Sequence, residues 1–208
     1  MKLFTSLRRA ALAAGIMLFA NFSFAQVAET EQERVRIMAE EIAKYMTSLE
    51  TQAAGYPEVF KQLKDGLLTI QQADAEVAKL IQLLNDATTK MEDGGEFGES
   101  IAAYRDATIA LIAEAEASTN DSIKAAVPDL QKTLEALEQS DETRNATVIE
   151  ARNLIRSLEQ NREAIAFFIK ANQVQKASQL IAENVGDFAL IIENGKSLAA
   201  GLTDVANP

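Results

Sequence analysis

The chain contains no cysteine and no histidine among its 208 residues. The lack of cysteine excludes thiol catalysis, disulfide exchange, cysteine-ligated zinc or iron–sulfur sites, c-type haem attachment and a bacterial lipoprotein anchor. The lack of histidine removes the usual general base, the serine–histidine triad, the HExxH zinc site and the Glu-x-x-His of di-iron bundles. A hydrolase that uses carboxylates alone is not supported by any paired-acid motif. We therefore predict no enzymatic activity, no metal site and no cofactor.

The first 25 residues have the organisation of a secretory signal peptide. Three cations precede an apolar stretch over residues 10–20, and Ser23-Phe24-Ala25 has the small-x-small pattern of a cleavage site. The apolar stretch is too short to span a bilayer, which takes about 20 residues. We predict cleavage between Ala25 and Gln26, which places the mature protein, residues 26–208, in the periplasm or outside the cell.

The adjacent Arg8 and Arg9 leave the export route open. With the apolar residues that follow, they partly resemble a twin-arginine signal, which carries folded proteins. Paired arginines are also common in ordinary signals, and no cofactor motif in the mature chain requires folding before export. General secretion is the preferred interpretation, and twin-arginine export is the alternative.

The mature chain is strongly acidic. The signal segment carries three cations and no acid, so its removal changes the formal net charge from −11 to −14. A protein of this charge is repelled by nucleic acid and by anionic membrane surfaces. Amphipathic helices that lie on membranes normally have a basic polar face, which is not the pattern here. We predict no nucleic-acid partner and no membrane insertion after signal cleavage.

Apolar residues recur every three or four positions along most of the mature chain, and β-branched alternation is nearly absent. Such spacing is typical of amphipathic helices, and the strict heptads over 60–91 and 148–169 are typical of coiled-coil-like packing. A representative stripe consists of Val35, Met38, Ile42, Tyr45 and Leu49. We predict an all-α fold, an elongated antiparallel bundle of four to six helices packed at shallow angles.

Glycine, proline and capping residues divide this pattern. Gly55-Tyr56-Pro57 ends one segment and places proline in the first turn of the next, while Asp93-Gly94-Gly95 is the strongest internal break. Ser140-Asp141 is expected to cap a new helix, and the tail from Thr203 is expected to fray. The predicted helices cover 35–49, 60–91, 99–117, 128–139, 140–169 and 173–202.

Residues 26–208 are predicted to form one helical domain, either a single bundle or two sub-bundles that meet near 93–98. Residues 57–63 echo residues 128–134, since Pro-acid-apolar is followed in both by lysine and leucine at the same offsets. A duplicated helical hairpin explains this echo. Chance explains it as well, because heptad sequences align easily with one another.

Arg162 is the main candidate for ligand binding, since it interrupts an apolar stripe between Leu158 and Ile165. A cation in such a place needs a carboxylate or a bound anion. Asp74 is a possible partner, and Tyr104, with the other tyrosines, could line a pocket between helices. The alternative is that the aliphatic stem of Arg162 packs while its guanidinium reaches water or a glutamate.

Two further segments have competing interpretations. Residues 92–99 supply carboxylates that could hold calcium, but they lack the ligand spacing of an EF-hand, so a helix-ending glycine turn is preferred. Phe167-Phe168 and residues 188–192 are more apolar than one buried face requires. They indicate either centrally placed helices or an exposed patch that a partner covers.

These patterns favour a non-catalytic, exported helical protein that acts through its surface as an adaptor, scaffold or chaperone-like binder, with a protein as its partner. The alternative is a sensor-type bundle that holds a small anionic ligand between its helices. The architecture is similar to the helical sensor modules of bacterial chemoreceptors, a likeness of pattern alone. The ligand-binding hypothesis requires an internal pocket lined by Arg162 and apolar groups, whereas the adaptor hypothesis requires a continuous exposed apolar patch near the last two helices and no sizeable pocket.

Overall fold

The computed structural model describes residues 23–207, and within that part of the chain 89% of residues are helical and no strand occurs. The all-α prediction is confirmed. Residues 1–22 and the C-terminal residue 208 lie outside the described residues, and so does most of the predicted signal peptide. The helices are α1 (Ser23–Ala53), α2 (Tyr56–Lys64), α3 (Ile70–Met91), α4 (Glu96–Ala117), α5 (Asp121–Lys124), α6 (Val127–Lys170) and α7 (Val174–Ala206).

The chain is organised in two compact units, each built from several segments. Among the described residues, unit 1 consists of residues 23–41, Glu92–Arg144 and residues 197–207, and unit 2 consists of Ile42–Met91 and Asn145–Lys196. The helices α1, α6 and α7 each contribute residues to both units. One unit boundary falls after Met91, next to the break at 92–95. That two sub-bundles meet near 93–98 stays a prediction.

Each unit has its own apolar core. In unit 2, α1, α2, α3, α6 and α7 all contribute buried side chains, among them Leu49, Phe60, Leu84, Leu158 and Phe188. In unit 1 the core includes Ala28, Ala107, Leu111, Ile123 and Leu130. Ala28 is fully buried and follows the predicted cleavage point at Ala25–Gln26 by three residues, and that point itself lies inside α1.

The predicted helix over 60–91 is wrong as a single element, because residues 65–69 interrupt it. Gly66 has φ +73°, a left-handed conformation that ends a helix and that glycine adopts without steric cost. Leu67, which the heptad pattern placed in the core, is 73% exposed. The heptad pattern continues through this turn in sequence, but the backbone does not follow it.

The predicted break at Ser140-Asp141 is also wrong. Helix α6 runs for 44 residues without interruption, and Ser140 is a buried residue in its middle. No glycine or proline lies near this point, so nothing in the backbone opposes continuation. A serine with an adjacent aspartate favours a helix start only where the preceding residues leave the helix.

The predicted fraying of the tail is wrong as far as residue 206. Helix α7 continues to Ala206, and Leu202, Val205 and Ala206 are buried in unit 1. The side chain of Gln32 donates a hydrogen bond from Nε2 to the carbonyl oxygen of Ala206 at 3.0 Å. This bond satisfies one of the carbonyls that every helix leaves unpaired at its C-terminus.

The predicted turn at Gly55-Tyr56-Pro57 is confirmed, and a second turn precedes α5. Pro57 lies in the first turn of α2, where its missing N–H costs nothing. Asn120 is the N-cap of the short helix α5, and its Oδ1 accepts a hydrogen bond from the backbone N–H of Ser122 at 2.9 Å. Local turn chemistry thus predicts the boundaries that involve proline and asparagine.

Candidate functional site

Helix α7 borders two open, largely apolar grooves within unit 2, which together we call the α7 groove. It has two halves of about 460 Å³ each, and both include Val185 in their lining. One half lies between α7 and α2, and the other lies between α7 and the C-terminal part of α1. From Val174 to Lys196 a helix advances about 33 Å at 1.5 Å per residue, so the groove follows α7 for about six turns.

Large side chains form the base of the α7 groove and small ones create its width. Phe60 and Phe188 are buried at the base, and Ile181, Val185 and Ile192 recur along α7 at helical spacing. The side chains that are too short to close the gap are Ala53, Ala54, Ala177, Ser178, Ala182 and Ala189. These small side chains leave an open and largely apolar surface along α7.

The two ends of the α7 groove differ in charge. The half beside α2 contains Lys61 and Lys64 and no acidic residue in its lining. The half beside α1 contains Glu50, Glu193 and Lys196, and there Lys196 donates a hydrogen bond from Nζ to Glu50 Oε2 at 2.6 Å. The groove is therefore positive at its α2 end and negative at its α1 end.

A buried polar cluster lies behind this surface in unit 2. Asn184 is fully buried, and its Nδ2 donates to the hydroxyl oxygen of Tyr56 at 2.6 Å. Ser157 donates to Asn184 Oδ1 at 2.9 Å, and Asn161 donates to the hydroxyl oxygen of Ser157 at 3.1 Å. Burial raises the pKa of Tyr56 to about 12, although the hydrogen bond from Asn184 opposes that rise. The cluster ties α2, α6 and α7 together beneath the groove.

Arg162 lies next to this polar cluster in sequence and is partly buried. Its neighbours on the stripe, Leu158 and Ile165, are fully buried, as the heptad pattern predicts. The Nε of Arg162 is buried and has no hydrogen-bond acceptor among the described residues. No ion pair joins Arg162 to Asp74 in the described part of the chain. A buried donor without a partner costs free energy, so this atom is a place where a ligand or water would be stabilising.

The other predicted ligand-binding residues are distributed between the units. Tyr104 is buried in unit 1, and burial raises the pKa of its hydroxyl above the ordinary value. Asp74 is partly exposed on α3 in unit 2, the unit that also contains Arg162. That Arg162, Tyr104 and Asp74 form one binding site stays a prediction.

Sequence reasoning missed a second arginine on the stripe of α6. Arg144 is 2% exposed, and its guanidinium Nη2 lies 2.7 Å from Asp93 Oδ1 and 2.7 Å from Asp141 Oδ1 in unit 1. Arg144 lies seven residues before Ala151, so it belongs to the same apolar stripe of α6 as Arg162. The heptad spacing that singled out Arg162 would have identified Arg144 as well. Asp93 belongs to the acidic segment that was considered as a calcium site. Its carboxylate forms an ion pair with the guanidinium of Arg144.

The acidic segment forms a turn, as preferred from sequence. The N–H of Gly95 donates to the carbonyl of Glu92 at 2.8 Å, and α4 begins at Glu96. No group of three or more potential metal-ligating side chains occurs in the part of the chain that the structure describes. Gly98 lies inside the first turn of α4 and is buried, so it is a packing residue rather than part of the break.

Unit 1 has two open grooves of different character. One, of about 570 Å³, lies between α6 and α7 and is lined by hydroxyls and small side chains, including Ser140 and Gly201. The other, of about 670 Å³, lies between α1 and α4 and includes the carboxylates of Glu41, Glu96 and Glu99. Both are more polar than the α7 groove, so they are weaker candidates for an apolar partner.

The two apolar segments of the last helices are divided between core and surface. Phe188 and Ile191 are buried in the unit 2 core, whereas Leu190 and Phe167 are exposed. Phe168 is partly buried against the same core, and its ring lies 5.8 Å from that of Phe167. Residues 188–192 therefore serve both the core and the surface, since only one side of α7 faces inward.

No protein-family model, curated protein or solved structure matches the chain significantly. None of the described helices is both long and apolar enough to cross a membrane.

Proposed function

We propose that this chain is an exported, non-catalytic binding protein, an adaptor or chaperone-like binder that holds an apolar segment of a partner protein in the α7 groove. The α7 groove is the observation that carries the proposal. Its base is built from the unit 2 core, and its rim includes Val185, which is 38% exposed. Export is supported by the pattern of residues 1–25, and the absence of catalysis by the lack of cysteine and histidine.

The proposal predicts that a carboxylate in the groove abolishes binding. The probe is a fluorescent amphipathic peptide of about 20 residues, the length that the groove accommodates, with leucine on one face and glutamine on the other. Val185→Asp places a charge where the peptide's leucines would be desolvated, so we expect at least about tenfold weaker binding. Fluorescence anisotropy of residues 26–208 measures the dissociation constant.

Ile149→Asp is the matched control for this experiment. Ile149 is 62% exposed, belongs to unit 2 and does not line the α7 groove. Its substitution adds the same charge and should leave the peptide affinity within about twofold. Equal weakening by both variants, or no peptide binding to the unaltered protein, would show that the groove is not the binding surface.

A second candidate function is ligand sensing, and the buried, unpartnered Nε of Arg162 favours it. A thermal-shift screen of residues 26–208 against small anions tests it. A ligand present at about a hundred times its dissociation constant adds roughly 2.7 kcal/mol to the stability of the folded state. The shift should disappear in Arg162→Ala and persist in Arg156→Ala, because Arg156 is exposed on the same helix. A screen without shifts argues for the adaptor function.

A further inference from the structure

Building on the proposed function, we infer that the partner segment in the α7 groove is an amphipathic helix with acidic residues at its N-terminal end and basic residues at its C-terminal end. That helix lies parallel to α7, with its acidic end beside Lys61 and Lys64.

The shape of the α7 groove favours a helix. Its two walls are helices, and their backbone N–H and C=O groups are engaged within those helices, so no free sheet edge is available to bind an extended strand. Its apolar residues Ile181, Val185, Phe188 and Ile192 follow the spacing of three and four that receives the i, i+3, i+4 and i+7 side chains of another helix. A third helix laid along this groove would complete the packing.

The charges of the groove favour a partner with opposite signs at its two ends. Lys64 has no ion pair among the described residues, and Lys61 has only the exposed Glu58, whose Oε2 lies 3.2 Å from its Nζ. At the other end Glu193 has no ion pair in the described part of the chain, whereas Glu50 is occupied by Lys196. A fatty acid or other simple amphiphile carries charge at one end only and leaves the second end unmatched.

The polarity of a helix sets the direction. Acidic residues stabilise the N-terminus of a helix and basic residues its C-terminus, because of the partial charges on the unpaired backbone groups there. A partner helix with that distribution matches the groove when its N-terminus lies beside Lys61 and Lys64, near the start of α7. It then runs parallel to α7 and antiparallel to α1 and α2.

The first experiment compares peptides that share one leucine face and differ in their polar face. Three versions are used: acidic at the start and basic at the end, glutamine throughout, and lysine throughout. We expect the first to bind about tenfold more tightly than the second, because each exposed ion pair contributes modestly. The lysine version measures the attraction that any cationic peptide has for a protein of this net charge. The preference should shrink in high salt, which screens such pairs.

The charge-reversed variant Lys61→Glu/Lys64→Glu should remove the preference or invert it. Lys79→Glu is the matched control, since Lys79 is an exposed lysine of unit 2 on α3 and does not line the groove. Circular dichroism of both variants establishes that they remain folded. Lys64→Gln removes one of the two positive charges without reversing it. We expect it to change the logarithm of the affinity ratio between the first and the glutamine peptide by about half as much.

The second experiment tests direction. The chain has no cysteine, so a single introduced thiol is unique. With oxidised glutathione added as the oxidant, a peptide with a thiol beside its acidic residues should form a disulfide faster with Ser178→Cys, near the lysine end, than with Ala189→Cys, near the other end. The reverse preference would overturn the parallel orientation.

The outcomes separate this inference from the proposed function. Equal binding of the acidic and glutamine peptides, unchanged in Lys61→Glu/Lys64→Glu, would overturn the charge assignment while leaving the groove as a binding surface. No binding of any peptide would overturn both. Binding of dodecanoate without binding of peptides would assign the groove to an amphiphile, which also overturns both.

Discussion

Replacing Arg144 with alanine should lower the free energy of unfolding by about 3 kcal/mol. The substitution removes a large, fully buried side chain and so leaves a cavity, which costs about 2 to 5 kcal/mol for comparable truncations. It also removes charge-assisted hydrogen bonds, including those from Nε to Asp141 at 2.8 Å and from Nη2 to Asp93 at 2.7 Å. Urea unfolding of residues 26–208, followed by circular dichroism, measures the loss.

The exposure of the partners sets the upper limit of this effect. Removing one member of a fully buried ion pair costs about 3 to 5 kcal/mol, because the other charge is left buried. Here the side chain of Asp93 is 86% exposed and that of Asp141 is 27% exposed, so both carboxylates regain water when Arg144 is absent. Most of the loss should therefore come from packing and from the lost hydrogen bonds.

Two control variants distinguish these contributions. Arg144→Met keeps an unbranched side chain in the space but removes the guanidinium, so it should cost clearly less than Arg144→Ala. Arg105→Ala removes a partly exposed arginine of unit 1 and should change stability by no more than about 0.5 kcal/mol. If Arg144→Ala were as mild as Arg105→Ala, the buried guanidinium would contribute nothing to unit 1. Should the units unfold separately, the loss should fall on the transition of unit 1.

Periodicity alone was sufficient to predict the fold class, because no segment of the mature chain offers an alternative to helix. It failed where the backbone leaves the helix while the side-chain pattern continues. Gly66 and Leu67 are the clearest case, since counting heptads from Phe60 to Met91 passes directly over the left-handed glycine. At Ser140 the prediction failed in the opposite way. The capping residues Ser140 and Asp141 suggested a helix boundary, but α6 continues through both of them.

The candidate site was harder to predict, for two physical reasons. A cation on an apolar stripe indicates that some partner exists, but sequence does not identify it. Asp93 is 51 residues from Arg144, and Arg162 lacks an acceptor for Nε altogether within the described residues. The α7 groove depends on Ala182 and Ala189, which count as ordinary apolar residues in any sequence pattern. Whether an alanine is packed against a neighbour or leaves a gap depends on the opposite helix, which only the fold provides.

Replacing Gly98 with alanine should lower the free energy of unfolding by about 2 to 3 kcal/mol. Among the substitutions considered, this is the largest expected loss after that of Arg144→Ala. A Cβ at this position would lie 2.3 Å from the carbonyl oxygen of Glu92 and 2.9 Å from the Cα of Asp93. Both are backbone atoms, so the contact is relieved only if the turn moves away from α4. Gly186→Ala is the matched control, because no atom lies within 4 Å of its added Cβ. In an exposed helical position that change should stabilise the protein by about 0.5 to 1 kcal/mol.

Gly98 and Arg144 both lie against the same turn, at Glu92 and Asp93. If Gly98→Ala displaces that turn, the hydrogen bond from Arg144 to Asp93 is lost as well. The double variant Gly98→Ala/Arg144→Ala should therefore be less destabilised than the sum of the single variants, since residues that share a partner are coupled. Unfolding measurements on the four proteins give this coupling. Strict additivity would mean that α4 tolerates the added methyl by a movement that leaves Asp93 in place, which would contradict the expected displacement of the turn.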